Sequence, residues 1–186
     1  MSDRAGERTL FSQAQIAKAV QKLAREIARA PLKPEIAVPV LAGAFVFASD
    51  LMRALARHGL DLETEFVWLR SYGRSENPGD VMVLKAPSEL VRGRTVLLID
   101  GVLDSGATLA RAKELLEEEG AAAVITAVAV EKEYPGRRFR ADHAMFAAGT
   151  EFLYGYGMDH MGRSRGLPDI RVKGPVARRK KKKARE

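Results

Sequence analysis

Residues 96–109 read VLLIDGVLDSGATL, and this stretch decides the fold. Its four leading apolar residues end at Asp100, a pattern typical of a parallel strand buried on both faces. Asp104 follows four positions later, and Ser105 begins a small, polar segment that leads into a helical pattern. Ligands of parallel α/β sheets bind beyond the carboxyl ends of the strands. The stretch therefore predicts a binding site in which two carboxylates lie beside a loop suited to an anion.

The segments around this stretch alternate between strand and helix patterns. Residues 12–30 place apolar side chains at helical spacing, with Ser12 suited to cap the start. The other predicted helices are 44–59 and 106–120, and the predicted strands are 35–43, 61–70, 81–87, 94–100, 122–132, 142–149 and 151–159. A strand, helix, strand order gives a right-handed crossover and a parallel sheet. We therefore predict one α/β domain over residues 1–174, with a central, mostly parallel sheet flanked by helices.

The composition excludes several kinds of site. The chain contains no cysteine, so disulfides, thiolate metal sites and a cysteine nucleophile are excluded. A reducing, cytoplasmic setting is therefore expected. The longest apolar stretch, residues 36–52, is interrupted by Pro39, Gly43 and Asp50 and is not expected to span a membrane. The beginning of the sequence, MSDRAGERTLFSQ, is polar and charged and does not resemble a signal peptide.

The net charge of +7 is concentrated at one end of the chain. Residues 175–186 carry seven basic side chains and one acidic side chain, whereas residues 1–174 carry 24 basic and 23 acidic ones. Because a block of like charges is usually solvated, we expect residues 175–186 to form a basic, disordered tail. Weak electrostatic binding of this tail to RNA or acidic surfaces is the alternative.

The segment DSGAT at residues 104–108 predicts an anion site at the start of a helix. Backbone N–H groups there, with the hydroxyls of Ser105 and Thr108, can hold a phosphate. The P-loop of nucleotide hydrolases requires a lysine that this segment lacks, and simple helix capping by Ser and Thr is the alternative. Carboxylates repel a bound phosphate, so Asp100 and Asp104 need further partners. The hydroxyls of a ribose 5-phosphate, together with Mg²⁺, provide them.

This arrangement of acids, Ser, Gly and Thr resembles the binding motif for phosphoribosyl pyrophosphate (PRPP) of the type I phosphoribosyltransferases. Further segments resemble the hypoxanthine-guanine phosphoribosyltransferases in the order of that family: VLAGAFVFASDL, RSYG, VEKEYPGRR and EFLYGYGMDHMGRSRGLPDI. The resemblance covers residues 12–172. It implies the type I phosphoribosyltransferase fold with a small C-terminal hood. It also implies a purine-salvage enzyme that converts hypoxanthine or guanine plus PRPP to IMP or GMP plus pyrophosphate with Mg²⁺.

The resemblance implies a role for each matching residue on the purine side. Asp104 matches the general base that faces purine N7, and Lys132 matches the donor to the purine 6-oxo group. Phe152 matches the ring that stacks on the purine, and Leu153 matches the residue whose backbone meets the base edge. From the residues alone, the alternatives are an aspartate that orders its own loop, a solvated lysine and ordinary core packing.

The remaining matches bind the phosphates, the ribose and the metal. The 5-phosphate and ribose group is Asp100, Gly101, Ser105, Gly106, Ala107 and Thr108; the pyrophosphate group is Ala42, Gly43, Ser71, Tyr72 and Arg165, with Arg163 as a competitor; the metal group is Asp100 and Asp159. Ser71 and Tyr72 begin the segment 71–80, which resembles the mobile loop that closes over the leaving group. The three histidines make no metal-ligand spacing and are expected to be structural or exposed.

Two positions depart from the family pattern. Gly101 stands where the family usually has a second acid, and Ala42 stands where Lys or Arg is common. Both departures fall on the PRPP side of the site, so PRPP is expected to bind weakly and to require high Mg²⁺. Gly101→Asp is expected to restore a contact to the ribose hydroxyls and to tighten PRPP, unless Gly101 has a positive φ or another residue already fills the gap.

Two other functions stay open on the sequence alone. One is a non-catalytic regulator that binds nucleotide or PRPP on the same fold, and purine turnover with PRPP separates it from an enzyme. The other is association with nucleic acid, which alone requires residues 175–186. The resemblance also implies a homo-oligomer, because the family commonly forms dimers or tetramers. The expected small-molecule partners are a 6-oxopurine and PRPP.

Overall fold

The computed structural model describes residues 7–71, 81–135 and 139–173. These residues form the helices α1 (Gln13–Arg29), α2 (Phe45–Ala56) and α3 (Ala107–Glu118) and a short 3-10 helix, Glu89–Val91. The strands are β1 (Glu7–Phe11), β2 (Ile36–Leu41), β3 (Glu63–Thr64), β4 (Val67–Ser71), β5 (Val81–Lys85), β6 (Thr95–Leu103), β7 (Ala123–Lys132), β8 (His143–Ala148), β9 (Phe152–Tyr154) and β10 (Ile170–Lys173). The predicted basic tail and residues 72–80 of the predicted loop lie outside the described residues.

The central sheet has seven strands, in the order β5-β4-β2-β6-β7-β8, with β3 paired to β2. The pairs β4–β2, β2–β6, β6–β7 and β7–β8 are parallel, whereas β5 runs antiparallel to β4. This mostly parallel sheet flanked by helices confirms the predicted fold class. Because β2 and β6 are parallel neighbours, the segments that follow them meet at one edge of the sheet.

The two faces of β6 explain its continuous apolar sequence. Leu97 and Ile99 pack into a core with α1 and α2, whereas Val96 and Leu98 pack into a core with α3. All of these side chains are fully buried. Burial of each one contributes about 1.5–3 kcal/mol. Strand β6 therefore holds the sheet between two helical layers and fixes the position of Asp100 near its carboxyl end.

A second, three-stranded antiparallel sheet in the order β1-β10-β9 forms the hood. Thr9 lies opposite Arg171, and Val172 lies opposite Leu153. A strand near residues 151–159 agrees with the sequence prediction, but neither β1 nor β10 was predicted. Strand β1 is only five residues long and mostly polar. It is stabilised by pairing with β10, at the other end of the described chain. Local sequence pattern does not reveal such a distant partner.

Helix α1 begins as the sequence predicts. Ser12 Oγ accepts a hydrogen bond from the Gln15 N–H, and Gln15 Oε1 accepts one from the Ser12 N–H, which forms a capping box. Its buried stripe, which includes Val20 and Leu23, packs in the same core as α2. Among the described residues, no helix is both long and apolar enough to cross a membrane.

Glu65 ties the β4–β5 hairpin together at the amino end of β4. Its carboxylate accepts hydrogen bonds from the Lys85 ammonium, the Ser88 hydroxyl and the Phe66 N–H, the last at 2.8 Å. Burial alone raises the pKa of this carboxyl, but the bonds from Lys85, Ser88 and Phe66 outweigh it, and the pKa is lowered from its ordinary value. The charged form of Glu65 therefore stabilises the fold.

We expect Glu65→Gln to lower the free energy of unfolding by about 1–3 kcal/mol at neutral pH, because charge-assisted bonds to a buried carboxylate are lost. A lowered folded-state pKa gives stability that is present above the unfolded-state pKa and disappears as the pH falls through the folded-state value. The difference between wild type and variant should therefore shrink in acid. Urea unfolding at pH 7 and below pH 4 measures it, and the exposed Glu89→Gln serves as the control. An equal deficit at both pH values would contradict the charge argument.

Candidate active site

A cavity of about 710 Å³ opens at the carboxyl edge of the central sheet. It lies between the turn after β2, the end of β4, the end of β6, the start of α3 and the hood. Among the predicted site residues, Ala42, Gly43, Asp100, Thr108, Phe152, Leu153, Asp159 and Arg165 line it. Residues that are far apart in the sequence are thus brought into one space large enough for a small molecule.

Asp100 lies on the wall of this cavity and is 9% exposed. Its Oδ1 accepts a hydrogen bond of 2.7 Å from the Gly101 N–H. Burial raises the pKa of this carboxyl to about 7, although the Gly101 bond acts in the opposite direction. Within the described part of the chain, no cationic side chain forms a salt bridge with Asp100. Its charged form therefore calls for a partner from outside the protein.

The predicted anion loop lies at the start of α3. Gly106 is the N-cap residue and has a φ of 92°, a conformation that favours glycine. Ser105 Oγ accepts a hydrogen bond of 3.4 Å from the Ala107 N–H, and Thr108 faces the cavity. The first N–H groups of a helix lack partners within that helix and carry partial positive charge. The loop is therefore suited to a phosphate.

Asp104 and Lys132 form an ion pair between the ends of β6 and β7. Lys132 Nζ lies 2.7 Å from Asp104 Oδ2. The lysine side chain is 9% exposed and the aspartate side chain is 51% exposed, so the pair runs from the interior to the surface. The sequence predicted both residues but not their contact. This pair offers one proton acceptor and one proton donor side by side.

The two predicted purine contacts in the hood differ in burial. Phe152 is 52% exposed, and its ring meets that of His160 edge to face with centroids 5.6 Å apart. Leu153 is buried in the core and pairs with Val172 of the hood sheet. The ring of Phe152 is thus accessible to a ligand, and His160 packs against it. Lys132 lies outside this wall and lines a second cavity of about 560 Å³ at the ends of β7 and β8.

Arg165 and Asp159 bind each other in the hood. Arg165 Nη2 lies 2.7 Å from Asp159 Oδ1, and Arg165 Nη1 donates to the Gly157 carbonyl at 2.8 Å. Asp159 also accepts a hydrogen bond of 2.9 Å from the Gly162 N–H. Arg165 lines the cavity, whereas Arg163 is exposed and does not. Of the two arginines that the sequence left open, Arg165 has the better position to meet a ligand.

The structure describes most of the residues that are predicted to bind pyrophosphate. Ala42 and Gly43 line the cavity, and the Leu41–Ala42 peptide bond is cis. Ser71 ends β4, and Tyr72 lies outside the described residues. Sequence reasoning missed Arg70, which lines the cavity next to Ser71 and supplies a further cation. Its place within the quoted RSYG segment is the signal that could have identified it.

The packing around Gly101 argues against the expectation that Gly101→Asp tightens PRPP. Gly101 does not have a positive φ, but a Cβ built on it lies 2.7 Å from the carbonyl oxygen and 3.1 Å from the carbonyl carbon of Gly43. Backbone atoms in this position move aside only at a greater cost than the end of a flexible side chain. The missing acid is therefore linked to close backbone packing. We now expect Gly101→Asp to disturb the site and not to tighten PRPP.

The comparisons with known proteins agree with this geometry. Residues 8–150 match the family described as phosphoribosyl transferase domain. The chain is 33% identical to the hypoxanthine-guanine phosphoribosyltransferase of Bacillus subtilis, with 91% of this chain and 94% of that protein covered. For the enzyme of the same name from Aquifex aeolicus, the identity is 32% and the coverage is 87% and 91%. The chain is also 32% identical to the bifunctional protein TilS/HprT of Listeria innocua, of which it spans 26%.

Solved structures show the same relationship. The hypoxanthine phosphoribosyltransferase of Trypanosoma cruzi superposes with a TM-score of 0.83 at 29% identity, covering 94% of this chain and 95% of that chain. A structure of that enzyme with the product IMP gives a TM-score of 0.82 and covers 95% and 99%. The fold and the family match define a phosphoribosyltransferase. More narrowly, the chain belongs to the hypoxanthine-guanine phosphoribosyltransferase family, as its sequence predicts. The roles of the individual site residues stay predictions.

We expect the folded protein without ligands to lose stability as the pH rises from about 4 towards 7 because of Asp100. A raised folded-state pKa gives stability that is present below the unfolded-state value and is lost as the pH rises through the folded-state value, here about 7. The slope is about 1.4 kcal/mol for each pH unit between the two values. Asp100→Asn should remove this dependence.

Urea unfolding of wild type and Asp100→Asn at pH 5 and pH 8, in buffer with a metal chelator, measures this difference. The variant should gain on the wild type at both pH values, and the gain should be larger at pH 8 than at pH 5, because the loss of stability builds up between the two pKa values. Parallel pH curves for the two proteins would show that burial of Asp100 does not disfavour its charge.

Proposed function

We propose that this protein is a purine-salvage enzyme that transfers the phosphoribosyl group of PRPP to hypoxanthine or guanine. The bond between ribose C1 and pyrophosphate breaks, a bond between C1 and a purine nitrogen forms, and the purine loses one proton. The products are IMP or GMP and pyrophosphate. The observation that carries this proposal is the Asp104–Lys132 ion pair beside the anion loop of α3. The Trypanosoma cruzi relative whose structure contains the product IMP supports it.

On the purine side, the ion pair matches two neighbouring atoms of a 6-oxopurine. Lys132 Nζ donates to the 6-oxo group, and Asp104 accepts the proton of N7. A purine that inserts between them gives each charge a new partner in place of the old one. The 6-amino group of adenine is itself a donor and cannot accept from an ammonium. The exposed ring of Phe152 offers a surface for stacking.

On the PRPP side, three groups of this chain share the charges of the substrate. Ser105, Thr108 and the first N–H groups of α3 hold the 5-phosphate. Arg165 and the backbone of Gly43 bind the pyrophosphate, which is the leaving group. Positive groups aimed at the leaving group favour the transition state, because negative charge accumulates there as the C1 bond breaks. Asp100 accepts hydrogen bonds from the ribose hydroxyls.

Magnesium fits the carboxylates of this site. No group of three or more His, Cys, Asp or Glu side chains within residues 7–71, 81–135 and 139–173 is arranged to hold a metal. Mg²⁺ needs only one or two carboxylates when substrate phosphates complete its shell. The buried Asp100 is the first such carboxylate, and Asp159 is the second once Arg165 turns to the pyrophosphate. When bound, Mg²⁺ neutralises part of the charge on the leaving group.

We also propose a cytoplasmic homo-oligomer. The lack of cysteine supports the cytoplasmic part of this proposal. The exposed side chains of Phe66, Leu84 and Leu90 supply apolar surface that a subunit contact could cover. The tail, residues 175–186, has no role in this chemistry, because all proposed site residues precede it.

The direct test is release of pyrophosphate from PRPP and Mg²⁺ with hypoxanthine, guanine, xanthine and adenine. We expect turnover with the first two, and Asp104→Asn should lower kcat by ~10²–10⁴-fold, the usual loss for a general base. Asp61→Asn, which changes an exposed aspartate before β3, is the control and should leave kcat unchanged. Binding of PRPP without turnover of any purine would instead favour a non-catalytic regulator.

Lys132→Gln tests the recognition of the 6-oxo group. We expect kcat/KM for hypoxanthine to fall by ~10–150-fold, because one charge-assisted hydrogen bond is lost. Discrimination against adenine should relax, because the amide oxygen of glutamine accepts from an amino group. Lys113→Gln on α3 is the control for loss of a lysine charge. Steady-state kinetics with both purines provide the readout, and wild-type values for hypoxanthine would remove Lys132 from the site.

A further inference from the structure

Three glycines from separate segments meet at one backbone carbonyl. Gly43 lies in the turn after β2, Gly101 lies in β6 and Gly157 lies in the hood. A Cβ built on Gly101 lies 2.7 Å from the Gly43 oxygen, and a Cβ built on Gly157 lies 2.6 Å from the same oxygen. Both distances are shorter than real Cβ contacts. The Gly43 carbonyl is thus enclosed between two residues that lack side chains, an arrangement that we call the glycine seat.

The two sides of the glycine seat differ in their backbone. Gly157 has a φ of 98°, so it favours glycine for its conformation as well as for its close contact. Gly101 lies in an extended strand without a positive φ, so the close contact is the reason that a side chain does not fit. A substitution at Gly101 therefore tests the contact by itself.

Gly43 has little else to fix its orientation. It lines the cavity, and in the described part of the chain neither its N–H nor its carbonyl makes a hydrogen bond. Glycine also has the widest backbone freedom of any residue. Because the carbonyl and the N–H of Gly43 flank the same Cα, contacts that restrict the carbonyl also restrict the direction of the N–H, which is an available donor.

The same contact reaches Arg165. The Gly157 N–H donates to the Arg165 carbonyl at 2.9 Å, and the Arg165 guanidinium donates to the Gly157 carbonyl at 2.8 Å. A shift of the Gly43 carbonyl therefore displaces Gly157 and, through these two bonds, Arg165. The backbone donor and the guanidinium assigned above to the pyrophosphate both depend on the glycine seat.

We propose that Gly101 and Gly157 are positioning residues for the pyrophosphate half of PRPP, because they hold the Gly43 turn and Arg165 in register around the leaving group. This inference rests on the proposed function. It explains why a glycine stands where the family usually has a second acid. Without a side chain at position 101 the site has one fewer carboxylate for the ribose, but the backbone donor of Gly43 is held in place for the pyrophosphate. The proposed purine contacts lie on other elements, with Lys132 at the end of β7 and Phe152 at the start of β9.

The experiment compares binding of magnesium pyrophosphate and of IMP by calorimetry, using wild type, Gly101→Ala and Gly166→Ala. Gly166 also lies in the hood, has no positive φ and has open space around a built Cβ, so it is the matched control. We expect Gly101→Ala to weaken pyrophosphate by at least ~10-fold, as overpacking against backbone does. IMP, which lacks a pyrophosphate group, should change by less than ~3-fold, and Gly166→Ala should match wild type for both.

If Gly101 has only a general structural role, Gly101→Ala weakens the binding of pyrophosphate and of IMP to the same extent, and that result would overturn the proposal. Unchanged pyrophosphate binding by a folded Gly101→Ala protein would also overturn it. If thermal unfolding shows that Gly101→Ala does not fold, Gly157→Ala enters the same comparison from the other side of the carbonyl. If neither variant folds, the two glycines are structural and the proposal fails. Wild-type protein that binds neither ligand would overturn the proposed function, whereas wild-type binding with equal losses in the variants overturns the positioning role alone.

Discussion

The rest of the structure depends on the burial of β6 on both of its faces. A strand without a solvent face has no place along its length where a charge can be exposed, so polar chemistry is confined to the end where the strand leaves the core. Asp100 lies three residues before the end of β6, where it borders the cavity, and Asp104 lies just beyond the last strand residue. Because β2 and β7 are the parallel neighbours of β6, their own ends deliver Gly43 and Lys132 to the same edge. The location of the site follows from the core.

The glycine seat shows how backbone packing limits the chemistry of this edge. The β2 turn, β6 and the hood approach so closely at the Gly43 carbonyl that a side chain at position 101 has no room. Of positions 100 and 101, only Asp100 therefore supplies a carboxylate to the proposed ribose site, and burial disfavours its charge. In the proposed site, recognition therefore relies more on fixed backbone groups and less on paired acids than the family motif implies.

Local pattern was sufficient for the elements that carry their own signal. The Ser12 cap, the helical spacing of α1 and the continuous apolar run of β6 predicted their elements, whereas the roles of the site residues at the strand ends stay predictions from the family motif. Features that depend on distant contacts were not predictable. β1 is defined by its partner β10, the Arg165–Asp159 pair depends on side-chain direction in the hood, and the reason for Gly101 lies in a carbonyl from another segment. Sequence marked Gly101 as unusual but could not show what occupied the space.

In the proposed mechanism, the two substrates are attracted to the site by forces of different range, and the Asp104–Lys132 pair is the reason for the difference. The paired charges largely cancel at a distance, and a neutral purine that replaces one partner with another changes no net charge. Its capture is therefore a short-range event governed by shape and hydrogen bonding. PRPP is polyanionic and is attracted over longer distances by Arg70 and Arg165 and by the start of α3. Salt screens that attraction beyond about 8–10 Å at ordinary ionic strength. In the proposed mechanism, ionic strength therefore acts mainly on the arrival of PRPP and has little effect on the purine.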